Sequence, residues 1–228
     1  MTAMGPVDVY TRSVEDYLKA VYRLSSEERP ASTTEIAQRL ELSPASVSAM
    51  VKRLSEQGLL EHERYRGVRL TGEGRRAALR IVRRHRLVES YLVEFLGYDW
   101  DTVHAEAEKL EHAMSDELVE RMAAALGHPV SDPHGDPIPA ADGSVAELQG
   151  TPLTRLAAGD SGVLARVSVS DADRLRYLGS LGLRPGLHFR VVEQAPFDGP
   201  VTIETPMGTR VLGHALATGL LCVAEDAQ

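Results

Sequence analysis

The chain has 228 residues, 43% hydrophobic and 25% charged, with a formal net charge of −8. It is longer than one typical domain, and its composition is that of a folded globular protein rather than a disordered one. A single cysteine, Cys222, excludes a disulfide framework and a CxxC zinc site. No apolar run approaches the roughly 20 residues a bilayer span needs, and the first residues lack the basic-then-apolar pattern of a signal peptide. The expectation is a cytoplasmic protein with no membrane partner.

The first predicted helix covers Ser13 to Glu28, with Val14, Leu18, Val21 and Tyr22 near one face and Ser13 as cap. A short helix follows from Thr33 to Leu40, capped by Thr33 or Thr34. A third starts at Pro44 behind Ser43 and runs to about Gln57, with Val47, Met50, Val51 and Leu54 at helical spacing. Leu59 to Thr71 reads as a two-stranded hairpin turning at Tyr65-Arg66-Gly67. A long helix from Thr71 to Leu96 and two shorter ones, Trp100 to about Met114 and Ser115 to Leu126, complete a helical region. Residues 127–150 are dense in Pro, Gly and Asp and read as a linker or ordered loop. Short apolar alternations follow: Val163 to Val169, Phe189 to Val192, Val201 to Glu204, Arg210 to Leu212 and Leu220 to Val223, interrupted by a helix over Asp171 to Leu181. They predict a small β-barrel. The expected architecture is mostly α with a C-terminal β-barrel. Its domains are 1–75 and 76–130, a linker at 131–150, and 151–228.

Charge is unevenly distributed along this plan. Residues 1–90 carry net +4, residues 91–150 net −11 and residues 151–228 net −1. A basic first third suits a polyanion, and an acidic middle suits cations.

Helix, tight turn, helix and basic hairpin in that order read as a winged helix-turn-helix. Such an arrangement presents the second helix N-terminus first to the DNA major groove. Thr34, Ser43, Ser46 and Ser48 are small hydroxyl residues at the leading ends of the two helices. Lys52 and Arg53 follow, and the hairpin carries Arg64, Tyr65, Arg66 and Arg69. These side chains suit phosphates, and Ala45 suits a thymine methyl.

A second constellation combines carboxylates and histidines. Glu108, Glu111 and His112 stand at i, i+3, i+4 on one predicted helix, with His104 one turn before them. His85 and Glu89 form an i, i+4 pair on the preceding helix. Facing helices can converge such side chains on a metal ion. Asp132 and His134, in the loop sequence SDPHGDP, are further candidate ligands.

These stretches carry a resemblance. DYLKAVYRL (16–24), SPASVSAMVKRLSEQGLL (43–60), RRHRLVESYL (83–92), VHAEAEKLEHAMSDEL (103–118), PHGDPIP (133–139) and LGSLGLRPG (178–186) are similar to the iron- and manganese-dependent repressors of the diphtheria toxin repressor family. The resemblance spans nearly the whole chain. It implies a winged-helix domain, a helical metal-binding and dimerisation domain, and a C-terminal SH3-like (FeoA-like) domain. It also implies a homodimer that binds a palindromic operator on double-stranded DNA when loaded with divalent metal, and so represses metal-homeostasis genes. It implies no enzymatic activity.

Carried over position by position, it implies a regulatory site of Asp16, Glu108, Glu111 and His112, and a second site of His85, Glu89 and His104. Asp171 stands near the expected C-terminal-domain ligand, and Asp132 and His134 near the linker histidine of the longer manganese regulators. The manganese branch carries a further carboxylate where this chain has Lys19. Where the iron branch has Met and Cys, this chain has Asp16 and Glu108. Hard oxygen donors suit Mn²⁺, with Fe²⁺ as the alternative ion. The competing readings are an iron-dependent repressor of the same family, a metal-independent winged-helix regulator and a metallohydrolase. Against the last, the sequence offers no evident nucleophile.

Overall fold

The computed structural model describes residues 10–26, 29–63, 66–147, 150–169 and 171–225. The chain divides into two compact units. One comprises the residues up to Arg84, with Glu111–Ala113 and Pro139–Ser144. The other comprises His85–Leu110, Met114–Ile138 and the chain from Val145 onward.

The first unit opens with α1 (Arg12–Leu24). Its cap is Thr11, whose Oγ1 accepts from Val14 N at 3.4 Å, rather than the expected Ser13. α2 (Thr33–Leu40) is capped by Ser32 rather than Thr33 or Thr34. Ser32 Oγ accepts from Glu35 N, and the Glu35 carboxylate accepts from Ser32 N at 2.9 Å, a reciprocal capping box. α3 (Pro44–Glu56) starts behind Ser43, whose Oγ accepts from Ser46 N at 3.2 Å. The turn between α2 and α3 passes through Glu41 in the left-handed region, φ 55°.

Strands β1 (Leu60–Glu63) and β2 (Gly67–Leu70) form the expected hairpin, with Leu60 opposite Leu70. Ala31 forms an isolated bridge to β2, because Ala31 and Val68 exchange both backbone hydrogen bonds. Leu18, Val21, Ile36, Val47, Val51, Leu54 and Val68 are fully buried in one core. The i, i+4, i+7 spacing of Val47, Val51 and Leu54 puts one stripe of α3 inside and leaves Ser46, Lys52 and Arg53 outside.

α4 (Gly72–Leu96) belongs to the first unit through Arg84 and to the second from His85 onward. The second unit continues with α5 (Val103–Leu110) and α6 (Asp116–Ala125). α5 is shorter than the predicted Trp100–Met114 helix: residues 111–113 form a turn, and Trp100 instead joins the apolar core beside the sheet. Val88, Leu92, Val103, Ala107 and Met122 form one helical cluster; Leu87, Val119, Ala123 and Ile138 form another.

The C-terminal sheet comprises β3 (Thr151–Pro152), β4 (Ser161–Val167), β5 (His188–Gln194), β6 (Val201–Thr205), β7 (Gly208–Leu212) and β8 (Leu220–Ala224). A 3₁₀ turn (Leu153–Arg155), α7 (Ala172–Ser180) and α8 (His214–Ala217) connect its strands. All pairings are antiparallel, in the order β3-β8-β4-β5-β6-β7. The predicted strands are present, but β3 and β7 are edges, so the sheet is not a closed barrel. Among the described residues no helix is long and apolar enough to cross a membrane.

Gly74, in the first turn of α4, decides a close approach. A Cβ there would lie 1.9 Å from the Leu59 carbonyl oxygen. Replacing a helical glycine by alanine ordinarily stabilises by about 1 kcal/mol. Here overlap with backbone outweighs that gain, so Gly74→Ala should destabilise by about 2 kcal/mol or more in urea denaturation. A stabilised variant would show that the approach of Gly74 to Leu59 is looser than described.

Candidate metal centre

Among the described residues, three groups of histidines and carboxylates have donor atoms within 4.8 Å of one another: Asp16, Glu111 and His112; His85, His104 and Glu108; Glu89, Asp132 and His134.

The first group lies within the first unit. Asp16 comes from α1, and Glu111 and His112 from the turn after α5. His112 Nε2 is 3.0 Å from Asp16 Oδ1 and 3.2 Å from Glu111 Oε1. These separations approximate the ligand-to-ligand spacing around an ion with bonds of about 2.1 Å. His112 Nε2 is buried yet makes no hydrogen bond of acceptable geometry. The other ring nitrogen explains its state. His112 Nδ1 donates to Glu15 Oε2 at 2.6 Å, and Arg84 Nη1 holds the other Glu15 oxygen at 3.3 Å. A carboxylate only accepts, so the proton of that bond is on Nδ1, which makes Nε2, between two carboxylates, the nitrogen left to ligate an ion. A divalent ion fits this donor set. Burial pushes the Asp16 carboxyl above its ordinary value, partly offset by His112 and Lys19. Glu111 has no exposed surface, and Lys19 Nζ donates to its Oε1.

Glu15, Arg84 and Lys19 were absent from the sequence-predicted ligand set. Glu15 is adjacent to Asp16, and periodicity alone does not show neighbouring residues converging on one imidazole. Arg84 is one of several arginines in α4.

The second group lies in the second unit. His85 Nε2 and His104 Nδ1 are 2.9 Å apart, and Glu89 Oε1 is 3.0 Å from the first and 2.8 Å from the second. Burial would raise the Glu89 carboxyl, but hydrogen bonds and charge from the two imidazoles hold it well below the usual range. Glu108 Oε1 is 3.4 Å from His104 Nε2. The resemblance implied that Glu108 would join Asp16, Glu111 and His112, yet the structure groups it with the two histidines. The predicted i, i+3, i+4 face required one continuous helix, whereas α5 stops at Leu110.

The third group is also in the second unit and is wholly buried. Asp132 Oδ1 accepts from His134 N at 2.8 Å and Asp136 N at 3.0 Å, which folds the loop around it. His134 Nε2 donates to the Trp100 carbonyl at 2.7 Å. Its ring stacks on Trp100 at 5.4 Å. Gly135, at φ +87°, allows the loop to approach β4, where a Cβ would lie 2.0 Å from the Ala165 oxygen. Arg86 Nε is 3.7 Å from Asp132 Oδ2 and Nη2 is 3.1 Å from Asp136 Oδ1. Asp171 is in none of the three groups: its carboxylate caps α7, accepting from Arg174 N at 2.9 Å.

On the proposed DNA face, Thr34, Ser43, Ala45, Ser46, Ser48, Lys52, Arg53 and Arg66 are exposed. The Ser43 hydroxyl caps α3 and Ser48 Oγ donates to the Pro44 carbonyl, so both have local partners. Lys52 and Arg53 project from α3. Arg64 and Tyr65 lie outside the described residues.

Burial, then the charges of Glu89 and Asp136, push the Asp132 carboxyl up to about 7 from its ordinary 3.8. Between those values the folded chain holds a proton that the unfolded chain has lost, so stability declines as pH rises through this window. With chelator present, Asp132→Asn should flatten the fall in Tm between pH 4 and about 7. Parallel Tm curves for parent and variant would rule out this burial effect.

Family models match along the chain. The iron dependent repressor N-terminal DNA binding domain matches residues 10–68, the iron dependent repressor metal binding and dimerisation domain matches 71–140, and the FeoA domain matches 151–222. The chain is 33% identical over 217 residues to the iron-dependent repressor IdeR of Mycobacterium leprae (strain TN), covering 90% of this chain and 94% of that protein. It is 31% identical to the diphtheria toxin repressor of Corynebacterium diphtheriae (strain ATCC 700971 / NCTC 13129 / Biotype gravis), covering 84% and 88%. A solved manganese-dependent transcriptional repressor in complex with manganese superposes with TM-score 0.86 at 42% identity, covering 93% of this chain and 100% of that one. ScaR with bound Zn²⁺ superposes with TM-score 0.77 at 34% identity, covering 92% and 98%. With a winged helix, a buried histidine-carboxylate centre and relatives aligned over most of its length, this chain belongs to the iron-dependent, or diphtheria toxin, repressor family.

Proposed function

We propose that the chain is a divalent-metal-dependent transcriptional repressor, acting in the cytoplasm as a homodimer on a palindromic DNA operator, with Mn²⁺ as its ion and Fe²⁺ as the alternative. The observation that carries this reading is the buried His112 Nε2 facing Asp16 and Glu111 without a hydrogen bond. The DNA part rests on the exposed face of α3 and on the wing, in the same unit as that nitrogen.

Asp16, Glu111 and His112 would hold the regulatory ion, which supplies a positive charge shared by two carboxylates and an imidazole. Glu15 fixes the imidazole tautomer, and Arg84 fixes Glu15. Asp16 lies on α1, which packs beneath the helix-turn-helix core through Leu18 and Val21. Glu111 and His112 lie on a turn whose flanking helices belong to the other unit. Ligation therefore ties the reading head to the chain segment running to and from the metal-binding and dimerisation region. In the proposed dimer this holds two reading heads near one DNA turn apart, roughly 34 Å. The dependence is reciprocal: operator binding tightens ion binding by the same factor. His85, Glu89, His104 and Glu108 would form a second ion site, and Asp132 and His134 a supporting one beside Glu89.

The Asp16, Glu111 and His112 set is rich in hard oxygen donors. Mn²⁺ binds most weakly in its divalent series, so preference for it rests on coordination geometry and donor hardness rather than raw affinity.

Operator binding, measured by anisotropy on a duplex selected from a random pool, tests the reading. His112→Ala should abolish activation by Mn²⁺, and His134→Ala should reduce it modestly. Asp16→Met should weaken the Mn²⁺ response more than the Fe²⁺ response under anaerobic conditions. If His112→Ala responds to metal like the parent, the regulatory ligand assignment is wrong.

The contact surface has its own test. Removing Lys52, Arg53 or Arg66 should each lower the log–log salt slope of DNA binding by about 1. An unchanged slope in all three variants would move the DNA contact elsewhere.

A further inference from the structure

We propose that Lys19 is a tethered cation built into the Asp16–Glu111–His112 centre, which keeps the centre folded without metal and raises the concentration of divalent ion needed to fill it. The inference rests on the regulatory-site reading and deepens it.

Three observations carry it. Glu111 has no exposed surface, and a buried carboxylate without a counter-charge is strongly unfavourable. The Lys19 side chain, only 6% exposed, meets that need. It stands one turn after Asp16 on α1, at i+3, so it shares the face that carries the ligand. The atom it contacts is the decisive detail. Lys19 Nζ donates to Glu111 Oε1, the same oxygen that lies 3.2 Å from the orphaned His112 Nε2.

An ion bridging His112 Nε2 and Glu111 Oε1 thus needs an oxygen already engaged by an ammonium. Competition for the oxygen and repulsion between two cations act in the same direction. A unit charge a few ångströms from a divalent ion, at protein-like dielectric, weakens binding by at least about tenfold. Without the ion, the ammonium neutralises Glu111, so the winged-helix unit need not open when metal is scarce. The regulator then responds to metal abundance rather than to trace metal.

The test uses the full chain and Mn²⁺ alone, with affinity read by competition against a fluorescent chelator. Lys19→Met keeps most of the volume and removes the charge. It should bind Mn²⁺ at least about tenfold more tightly than the parent. Its metal-free form should melt at a lower temperature, and it should gain more from Mn²⁺. Lys19→Arg retains the charge and should stay near the parent in both respects. If metal-free Lys19→Met does not fold, the variant is purified with Mn²⁺ and the ion withdrawn by excess chelator. Release should then be at least about tenfold slower than from the parent. Affinity or release equal to the parent's, or a shift toward weaker binding, overturns the role of Lys19. His112→Ala separates the two ideas. If it leaves parental Mn²⁺ binding intact, the regulatory site and the proposal fall together. If it abolishes binding while Lys19→Met changes nothing, only the proposal falls.

Discussion

Carboxylates taken out of water must find positive charge or protons, and this requirement organises the interior of both units. Glu111, Glu89, Asp132 and Glu15 are all buried. Each meets the requirement differently. Glu111 is engaged by Lys19, Glu15 by Arg84 and His112, and Glu89 by His85 and His104. Asp132 faces Arg86 only at 3.7 Å and is the group whose carboxyl is pushed up to about 7. Hydrophobic burial places α1, α3 and the sheet, but these carboxylates gain nothing from burial itself. They stand at the start of α1, within α4, in the turn after α5 and in the proline-rich loop, so the cost of burying them is offset by apolar burial elsewhere.

Within that arrangement, hydrogen bonds to the far side of each imidazole prepare the near side. Glu15 receives the His112 Nδ1 proton, and the Trp100 carbonyl receives the His134 Nε2 proton. In the first case the remaining nitrogen, His112 Nε2, faces Asp16 and Glu111. Such outer partners commonly set the tautomer and orientation of metal-binding histidines. Asp16 is carried on the helix whose Leu18 and Val21 pack into the core supporting α3.

Much of this was legible in the sequence where the physics is local. The 3.6-residue spacing of Val47, Val51 and Leu54, the Ser43-Pro44 start and the short apolar alternations after residue 160 correspond to α3 and the C-terminal strands. His85, Glu89 and His104 come together as their positions suggested. Features set by tertiary structure were not legible. α5 ends at Leu110, so Glu108 parts from Glu111 and His112; helix periodicity cannot show where tertiary contacts outcompete one more turn. Asp171 reads as a possible ligand but is a helix cap, a role the residue type favours equally. Glu15 and Arg84 act through contacts 97 and 69 residues apart in sequence, which no local pattern encodes. The barrel expected from strand alternation is a sheet with two edges, because alternation reports which face is buried and not whether the ends meet.

His112 Nε2 is the atom on which metal dependence rests, and locating bound manganese tests its role directly. Crystals of the full chain grown with Mn²⁺, with data collected on both sides of the manganese absorption edge, give the ion's position independently of any change in the protein. The account predicts an anomalous peak bonded to His112 Nε2, Asp16 Oδ1 and Glu111 Oε1, with Nδ1 of the same ring still hydrogen-bonded to Glu15. Manganese confined to the other two clusters, with His112 Nε2 bound to no ion, would contradict it.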